Sequence, residues 1–333
     1  MDRHEYVKKI LNEKGLDYII INSISAIKYF TDFSFSDNTT YIIVDRENTH
    51  LLVNELNEAY SKSMNVKKYG STEELAEILI DMVSSKSKVG FCIDSYESFK
   101  FIEKILNDST LLDIKEDVLK LQSIKEISEI EKIRTATNIT KNAISYGFSK
   151  FKDGMTEKEI AIEIKNYIIS KGADYAFCHV QGDENSSIPH HNTNETPIKR
   201  IVVMDVGATY KGYSSDITRT FLISPDEEMK KIYNVVKEAQ QNAIEKIKPG
   251  VKAKELDKAA REIIESAGYR YIHSTGHGIG LDTKCGPKIS KKSCDILKEN
   301  MVFTIEPGIY LSGKFGVRVE DVVLVKKEGY EIL

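Results

Sequence analysis

The chain has 333 residues, 41% hydrophobic and 29% charged, enough for a folded core and, at about 150 residues per domain, for two domains. With 47 Lys and Arg against 51 Asp and Glu the net charge is -4, the wrong sign for a non-specific polyanion binder. No apolar run approaches the ~18 residues of a membrane span, and the composition fits neither a disordered chain nor a disulfide scaffold.

Residues 1–13 read as a charged amphipathic helix ending near Gly15, without the apolar core of a secretory signal. Cys92, Cys178, Cys285 and Cys294 lie far apart with no C-x-x-C spacing, which suits a reducing, cytoplasmic setting. Apolar runs at 16–21, 40–44, 49–53 and 89–93 predict strands. Helices are expected over 71–83, opened by a Ser71/Glu74 capping box, and over 95–106. Alternating strands and helices predict an α/β unit on a mostly parallel sheet that closes near 118.

Ser123 and Glu126 form a second candidate capping box. Behind it runs the stripe Ile124, Ile127, Ile130, Ile133, Ile139, Ala143 and Ile144, a long helix. The boundary therefore falls between 118 and 123, giving domains 1–120 and 121–333. Thr156 with Glu159 caps a helix to about Lys171, and Pro225 is read as the first position of another. A further helix spans 253–267 and stops at Gly268. Strands are expected at 201–206, 213–223, 301–305 and 317–325. The second domain thus runs helix, helix, strand, strand twice, an α+β pattern with no convincing sequence repeat.

Polar residues sit where strand patterns would not ask for them. Asp205 ends the run Ile201-Val-Val-Met204, and Asp216 lies eleven positions on. A two-residue turn at Tyr210-Lys211 would set these carboxylates opposite each other, a repulsion that a bound cation would remove; another register shifts the pair. Arg318 and Glu320 alternate with Val317 and Val319, so they share one face of an apolar strand, which is unfavourable unless they are paired or bound. Glu306 closes a strand before Pro307-Gly308, and His277 stands among glycines in Thr275-Gly-His-Gly-Ile-Gly280. Each residue alone reads as an ordinary cap, strand exit, loop histidine or ion pair. Together, four carboxylates and one imidazole are the donor set for a pair of divalent ions.

These segments, Asp205-Val-Gly with Asp216, Thr-Gly-His277-Gly-Ile-Gly, Glu306-Pro-Gly and Arg318-Val-Glu320-Asp, resemble in order the five-ligand signature of the pita-bread metallopeptidases. That family includes methionine aminopeptidase, Xaa-Pro aminopeptidase and Xaa-Pro dipeptidase (prolidase). The run from Gly15 to Phe33 is similar to the creatinase/prolidase N-terminal domain, which favours the proline-directed branch. The resemblance implies an N-terminal creatinase-like α/β domain followed by a pita-bread α+β domain.

It also implies roles. Asp205 would hold one metal, Asp216 and Glu320 would bridge two, and His277 and Glu306 would complete the second. A bridging hydroxide would attack the scissile carbonyl, with Glu306 as general base. His190 resembles the family's substrate-side histidine, with His191 the lesser candidate because the family pattern has Gly there. His273 resembles a further pocket histidine, and Arg318 an orienter of the ligands. Tyr213 and Arg219 read as structural. The sequence departs from the family at Lys284, where a histidine is usual, and at Cys285, where a Glu is usual. A lysine can still stabilise an oxyanion or grip a carboxylate but does not readily shuttle protons near pH 7, and it could instead point to solvent.

The function implied is a dinuclear exopeptidase cutting before proline in dipeptides or peptide N-termini, dipeptidase slightly ahead of aminopeptidase. The alternative is a pita-bread protein with weak or no peptidase activity because of Lys284. Mn²⁺ or Co²⁺ are the expected ions, with Zn²⁺ or Fe²⁺ open. A homodimer is implied, and neither nucleic acid nor membrane is an expected partner. A metal-free creatinase-type relative would have replaced ligands, and all five are in place.

Overall fold

A computed structural model describes residues 3–33, 38–60 and 65–333. The chain divides into two compact units, Met1–Gln122 and Ser123–Leu333.

The first unit contains α1 (Arg3–Lys14), β1 (Tyr18–Ile21), α2 (Ile24–Thr31), β2 (Tyr41–Val44), β3 (Thr49–Asn54), β4 (Asn65–Tyr69), α3 (Thr72–Met82), β5 (Lys88–Cys92), α4 (Tyr96–Ile105), β6 (Thr110–Asp113) and α5 (Lys115–Ser123). Its sheet has the order β4-β3-β2-β1-β5-β6. The run Ile19-Ile20-Ile21 is fully buried, as a strand covered on both faces must be. It pairs parallel with β5 and antiparallel with β2. The pairings β3–β4 and β5–β6 are parallel and β2–β3 antiparallel, so the sheet is mixed with parallel pairs in the majority. The two outer strands, β4 and β6, were not expected from the sequence: β6 is mostly exposed and β4 buries only Tyr69, so neither carries a long apolar run. Ser71 caps α3 as expected, but the Glu74 carboxylate accepts from the Gly70 amide rather than from the cap's own.

The second unit contains α6 (Ile127–Ser149), α7 (Glu157–Ser170), β7 (Tyr175–Gly182), β8 (Ile201–Tyr210), β9 (Tyr213–Ser214), β10 (Ile217–Leu222), α8 (Glu227–Glu245), α9 (Ala253–Ser266), β11 (Gly276–Gly278), β12 (Cys285–Ile289), β13 (Val302–Ile305), β14 (Gly308–Leu311), β15 (Phe315–Arg318), β16 (Asp321–Val325) and β17 (Tyr330–Ile332). One sheet runs β10-β8-β7 with β9 on β8; another runs β12-β11-β13-β16-β17; β14 and β15 form a separate hairpin. Ile130, Ile133, Ile160 and Ile164 of the first helix pair pack with Met204 and Val206 of β8. Ile232, Val236, Leu256 and Ala260 of the second pair pack with Phe303, Ile305 and Val323. Each half of the unit thus sets two helices against strands, with Val302, Val322 and Leu324 of the second sheet joining the first cluster.

Four expected boundaries move, the first being the strand expected over 213–223, which divides into β9 and β10 around Asp216. The helix after the junction is capped by Glu126, whose amide donates to the Glu129 carboxylate, and not by Ser123, which closes α5. Ile124 and Ile127 therefore fall outside the buried stripe, at 38% and 69% exposure. The Asp226 carboxylate accepts from the Met229 amide and pairs with Arg200, so Asp226 is the cap of α8 and Pro225 precedes the helix. The expected strand 317–325 is two strands. β15 ends at Arg318 against β14, β16 starts at Asp321 against β13, and between them the Glu320 amide donates to the Thr218 carbonyl.

The hairpin turn is Lys211-Gly212, not Tyr210-Lys211. Both residues have positive φ, 50 and 82, as a two-residue turn matching the strand twist requires. Tyr210 pairs with Tyr213, and Asp205 faces Thr218. Asp216 is displaced by two positions, which returns it to the same face of the sheet as Asp205. The expected direct opposition is thus replaced by a diagonal one.

A lysine in the left-handed region carries a steric penalty that asparagine largely escapes. Lys211→Asn should stabilise the second unit by about 0.5–1 kcal/mol, read as a higher melting temperature with unchanged denaturant slope.

Candidate metal centre

Five separate pieces of backbone deliver the expected donors. Asp205 comes from the middle of β8, Asp216 from the break between β9 and β10, His277 from β11, Glu306 from the exit of β13, and Glu320 from the gap between β15 and β16. Ligand atoms of Asp216, His277 and Glu320 lie within 4.8 Å of one another. His277 Nε2 is 3.6 Å from Asp216 Oδ2 and 3.4 Å from Glu306 Oε1. Arg318 Nη2 donates to Asp205 Oδ2 at 2.7 Å.

The glycines around His277 have a physical reason. A Cβ on Gly276 would lie 1.9 Å from the Thr304 carbonyl oxygen, and one on Gly278 1.8 Å from that of Gly286. The flanking strands approach too closely for any side chain. The β11–β12 register shifts between His277 and Gly278, a bulge that re-aims the imidazole.

The ring is oriented as a ligand. Nδ1 lies 3.1 Å from the Gly278 carbonyl, which only accepts, so Nδ1 carries the proton. Burial lowers the His277 pKa to about 4, against the partial support of that carbonyl, so the ring is neutral at pH 7. The lone pair of Nε2 then faces an oxygen of Asp216 and one of Glu306, and the ring offers them no proton of its own. Asp216 Oδ1 and Glu320 Oε1 are buried without a hydrogen-bond partner. Burial raises Glu306 to about 7. It also drives Asp216 and Glu320 well above the usual range, reinforced for Asp216 by Glu320 and Asp205 and for Glu320 by Glu306 and Asp205. Unpaired acceptors turned on one another are what a divalent cation resolves, and these residues fit one.

Around this cluster lies a polar shell. The Thr218 hydroxyl donates to Glu320 Oε2 at 2.7 Å and accepts from Arg318 Nε at 3.2 Å. Arg318 Nη1 donates to the Tyr310 hydroxyl at 3.0 Å, and that hydroxyl lies 3.1 Å from His273 Nε2. Burial lowers the His273 pKa to about 4. Thr218 and Tyr310 were missed in the sequence. Thr218 was detectable as the residue two beyond Asp216, on the same face. Tyr310 required knowing that β14 folds back on β15, pairing Tyr310 with Gly316.

The other expected residues divide. His190 is exposed. His191 points away, with Nε2 3.1 Å from Asn194 Nδ2 and 3.5 Å from Glu157 Oε2. Lys284 is exposed and makes no hydrogen bond or ion pair among the described residues, yet its charge reaches both His277 and Glu306. Burial pushes the Cys285 thiol up, the opposite of a reactive thiolate. Tyr213 donates to Glu129, and Arg219 to Asp321 and to the Thr218 and Glu320 carbonyls, both as structural members.

Metallopeptidase family M24 matches residues 131–327, and the Creatinase/Prolidase N-terminal domain matches residues 3–124. The chain belongs to metallopeptidase family M24. It is 37% identical over 98% of its length to the Xaa-Pro dipeptidase of Pyrococcus furiosus, covering 96% of that protein. The solved prolidase from Pyrococcus furiosus superposes with a TM-score of 0.91 at 35% identity, over 98% of both chains. An X-Pro aminopeptidase from Thermotoga maritima superposes at 0.88 and 33% identity, over 100% of this chain and 97% of that one. As an M24 peptidase the chain binds divalent metal ions. Among the described residues no helix is long and apolar enough to cross a membrane.

Two predictions follow from the cluster of this M24 peptidase. Gly276→Ala or Gly278→Ala should each cost about 2 kcal/mol or more and weaken metal binding. Gly280→Ala, whose Cβ would meet only the end of the Lys125 side chain at 3.1 Å, should cost much less. Melting curves and metal titrations of the three variants check this order.

The second concerns pH. Glu306, Asp216 and Glu320 have raised folded pKa values, so the metal-free protein loses their stabilisation as pH rises. His273 and His277 are lowered to about 4 and act oppositely, but only below their unfolded value of about 6.5. Above pH ~6.5 the acids act alone. The melting-temperature gap between Mn²⁺-loaded and chelated protein should therefore widen from about pH 6.5 to 8. A constant gap would place the ion elsewhere.

Proposed function

We propose that this chain is a metal-dependent Xaa-Pro dipeptidase. The observation that carries the reading is the His277 lone pair facing the Asp216 and Glu306 carboxylates, beside the unpartnered oxygens of Asp216 and Glu320, in an M24 peptidase akin over nearly its whole length to an Xaa-Pro dipeptidase. Asp205, Asp216, His277, Glu306 and Glu320 are assigned as the residues that hold two divalent ions, with Mn²⁺ or Co²⁺ as the activating metals. When bound, such ions polarise the scissile carbonyl and make water a nucleophile at neutral pH.

The remaining work falls to side chains. Glu306 is the proton carrier, because its side chain is 17% exposed against 7% for Asp216 and it can meet a substrate. Arg318 holds Asp205 and, through Thr218, Glu320, fixing two donors with one guanidinium. His190, exposed at the rim, contacts the peptide near the leaving proline. A dipeptide brings a free carboxylate, and Lys284 is an exposed cation with no partner of its own among the described residues. Lys284 is therefore assigned to that carboxylate, which favours dipeptides over longer peptides. A homodimer and a cytoplasmic setting complete the proposal, the second supported by four free cysteines.

Purified protein with Mn²⁺ or Co²⁺ should hydrolyse an Xaa-Pro dipeptide, lose activity on chelation, and act less well on an Xaa-Pro tripeptide. Glu320→Ala should lower kcat at least about 100-fold. Lys284→Met should raise KM for the dipeptide and leave the tripeptide little changed. Equal rates on both peptides would favour the aminopeptidase reading, and no turnover of either would exclude a proline-directed peptidase.

A further inference from the structure

His190 is tied to nothing through its own side chain: it makes no hydrogen bond or ion pair among the described residues. Its backbone is held unusually well. Gln181, 1% exposed on β7, sends its amide nitrogen to the Pro189 carbonyl at 3.3 Å and the His191 carbonyl at 3.2 Å. These are the carbonyls on either side of His190. Both partners only accept, which settles the amide orientation. Gln181 Oε1 is left buried with no partner, so the residue keeps these two bonds at the expense of an unsatisfied acceptor.

A second anchor lies at the base of the same loop. Glu157, wholly buried in the first turn of α7, accepts at Oε1 from the Gly182 amide (2.7 Å) and Asn185 Nδ2 (2.9 Å), and at Oε2 from the Asn194 amide (3.0 Å). One carboxylate thus ties the residue that enters the loop to a residue that leaves it, where the helix N-terminus favours negative charge. Thr193 Oγ1 adds bonds to the Val180 amide (2.8 Å) and carbonyl (3.2 Å). His191 Nε2 lies toward Glu157 and Asn194, so the pair His190-His191 is split, one ring inward to the clamp and one outward.

We propose that Gln181 and Glu157 are positioning residues for His190, clamping the backbone around it so that its imidazole meets the peptide at a fixed place. The inference rests on the reading of His190 as a substrate-side residue. A displacement of the order of 1 Å at such a group is enough to slow a reaction severely. The loop is held by buried polar bonds rather than by an apolar core, so its geometry is sensitive to the loss of either anchor.

Gln181→Met keeps the volume, removes the two bonds to the loop and also removes the orphaned oxygen, so the fold survives it. With metal bound, it should lower kcat on an Xaa-Pro dipeptide about ten-fold, with metal affinity unchanged. His190→Ala should lower kcat more, and the double variant should match His190→Ala alone, because a clamp has nothing to act on once the imidazole is gone. Glu157→Gln, which turns one acceptor into a donor facing amide N–H groups, should behave like Gln181→Met. In metal-free protein, amide exchange at His190 and His191 should rise about ten-fold in Gln181→Met while α6 is unchanged. Losses that multiply in the double variant, or exchange that does not change, would overturn the proposal. The exchange arm uses no substrate, so its outcome stands apart from the peptidase reading.

Discussion

The second unit is organised around a repulsion. Asp216, Glu306 and Glu320 are acceptors packed against one another in a buried site, and the His277 ring presents a lone pair rather than a proton. The Thr218 hydroxyl and the Arg318 and Lys284 charges relieve it only in part, since burial and the neighbouring carboxylates still win. Among these carboxylates Arg318 donates directly to Asp205 alone and reaches Glu320 through Thr218. Without a cation the site answers by taking up protons, which is why burial and neighbouring carboxylates raise its acids. With divalent cations the same arrangement becomes favourable. Ions held at these residues would therefore supply the energy that keeps the acids together.

Several features otherwise hard to explain serve that arrangement. Backbones crowd around His277 so tightly that only glycine fits at 276 and 278. The strand that would have run from 317 to 325 breaks at Val319 and Glu320, freeing Glu320 to lie over Thr218. The Lys211-Gly212 turn sets Asp205 and Asp216 on one face but diagonally. Each is a local departure from regular structure, and each aims a side chain.

Much of this was legible beforehand. The five donors, the longer helices and the apolar strands β1, β2, β3, β5, β8, β10, β13 and β16 announce themselves through period, caps and unexpected polar residues, whereas the short helices α2 and α5 and the strands β7, β11, β12, β14 and β17 do not. What failed did so for physical reasons. β4 and β6 are edge strands with little to bury, so they lack an apolar signal. The cap at Glu126 competed with a nearby Ser that looked better in isolation. The turn shifted by one residue because two positive φ angles were needed and Gly212 could supply the second.

By itself the sequence determined the chemistry: which donors exist, in what order, and that a lysine stands at 284 and a histidine pair at 190–191. These are properties of residue type and local spacing. Only the tertiary structure decided which histidine of that pair turns outward, that Tyr310 and Thr218 join the shell, and that Gln181 and Glu157 hold the loop. Those outcomes depend on contacts between residues as far apart in the chain as Thr218 and Glu320, which no local pattern encodes.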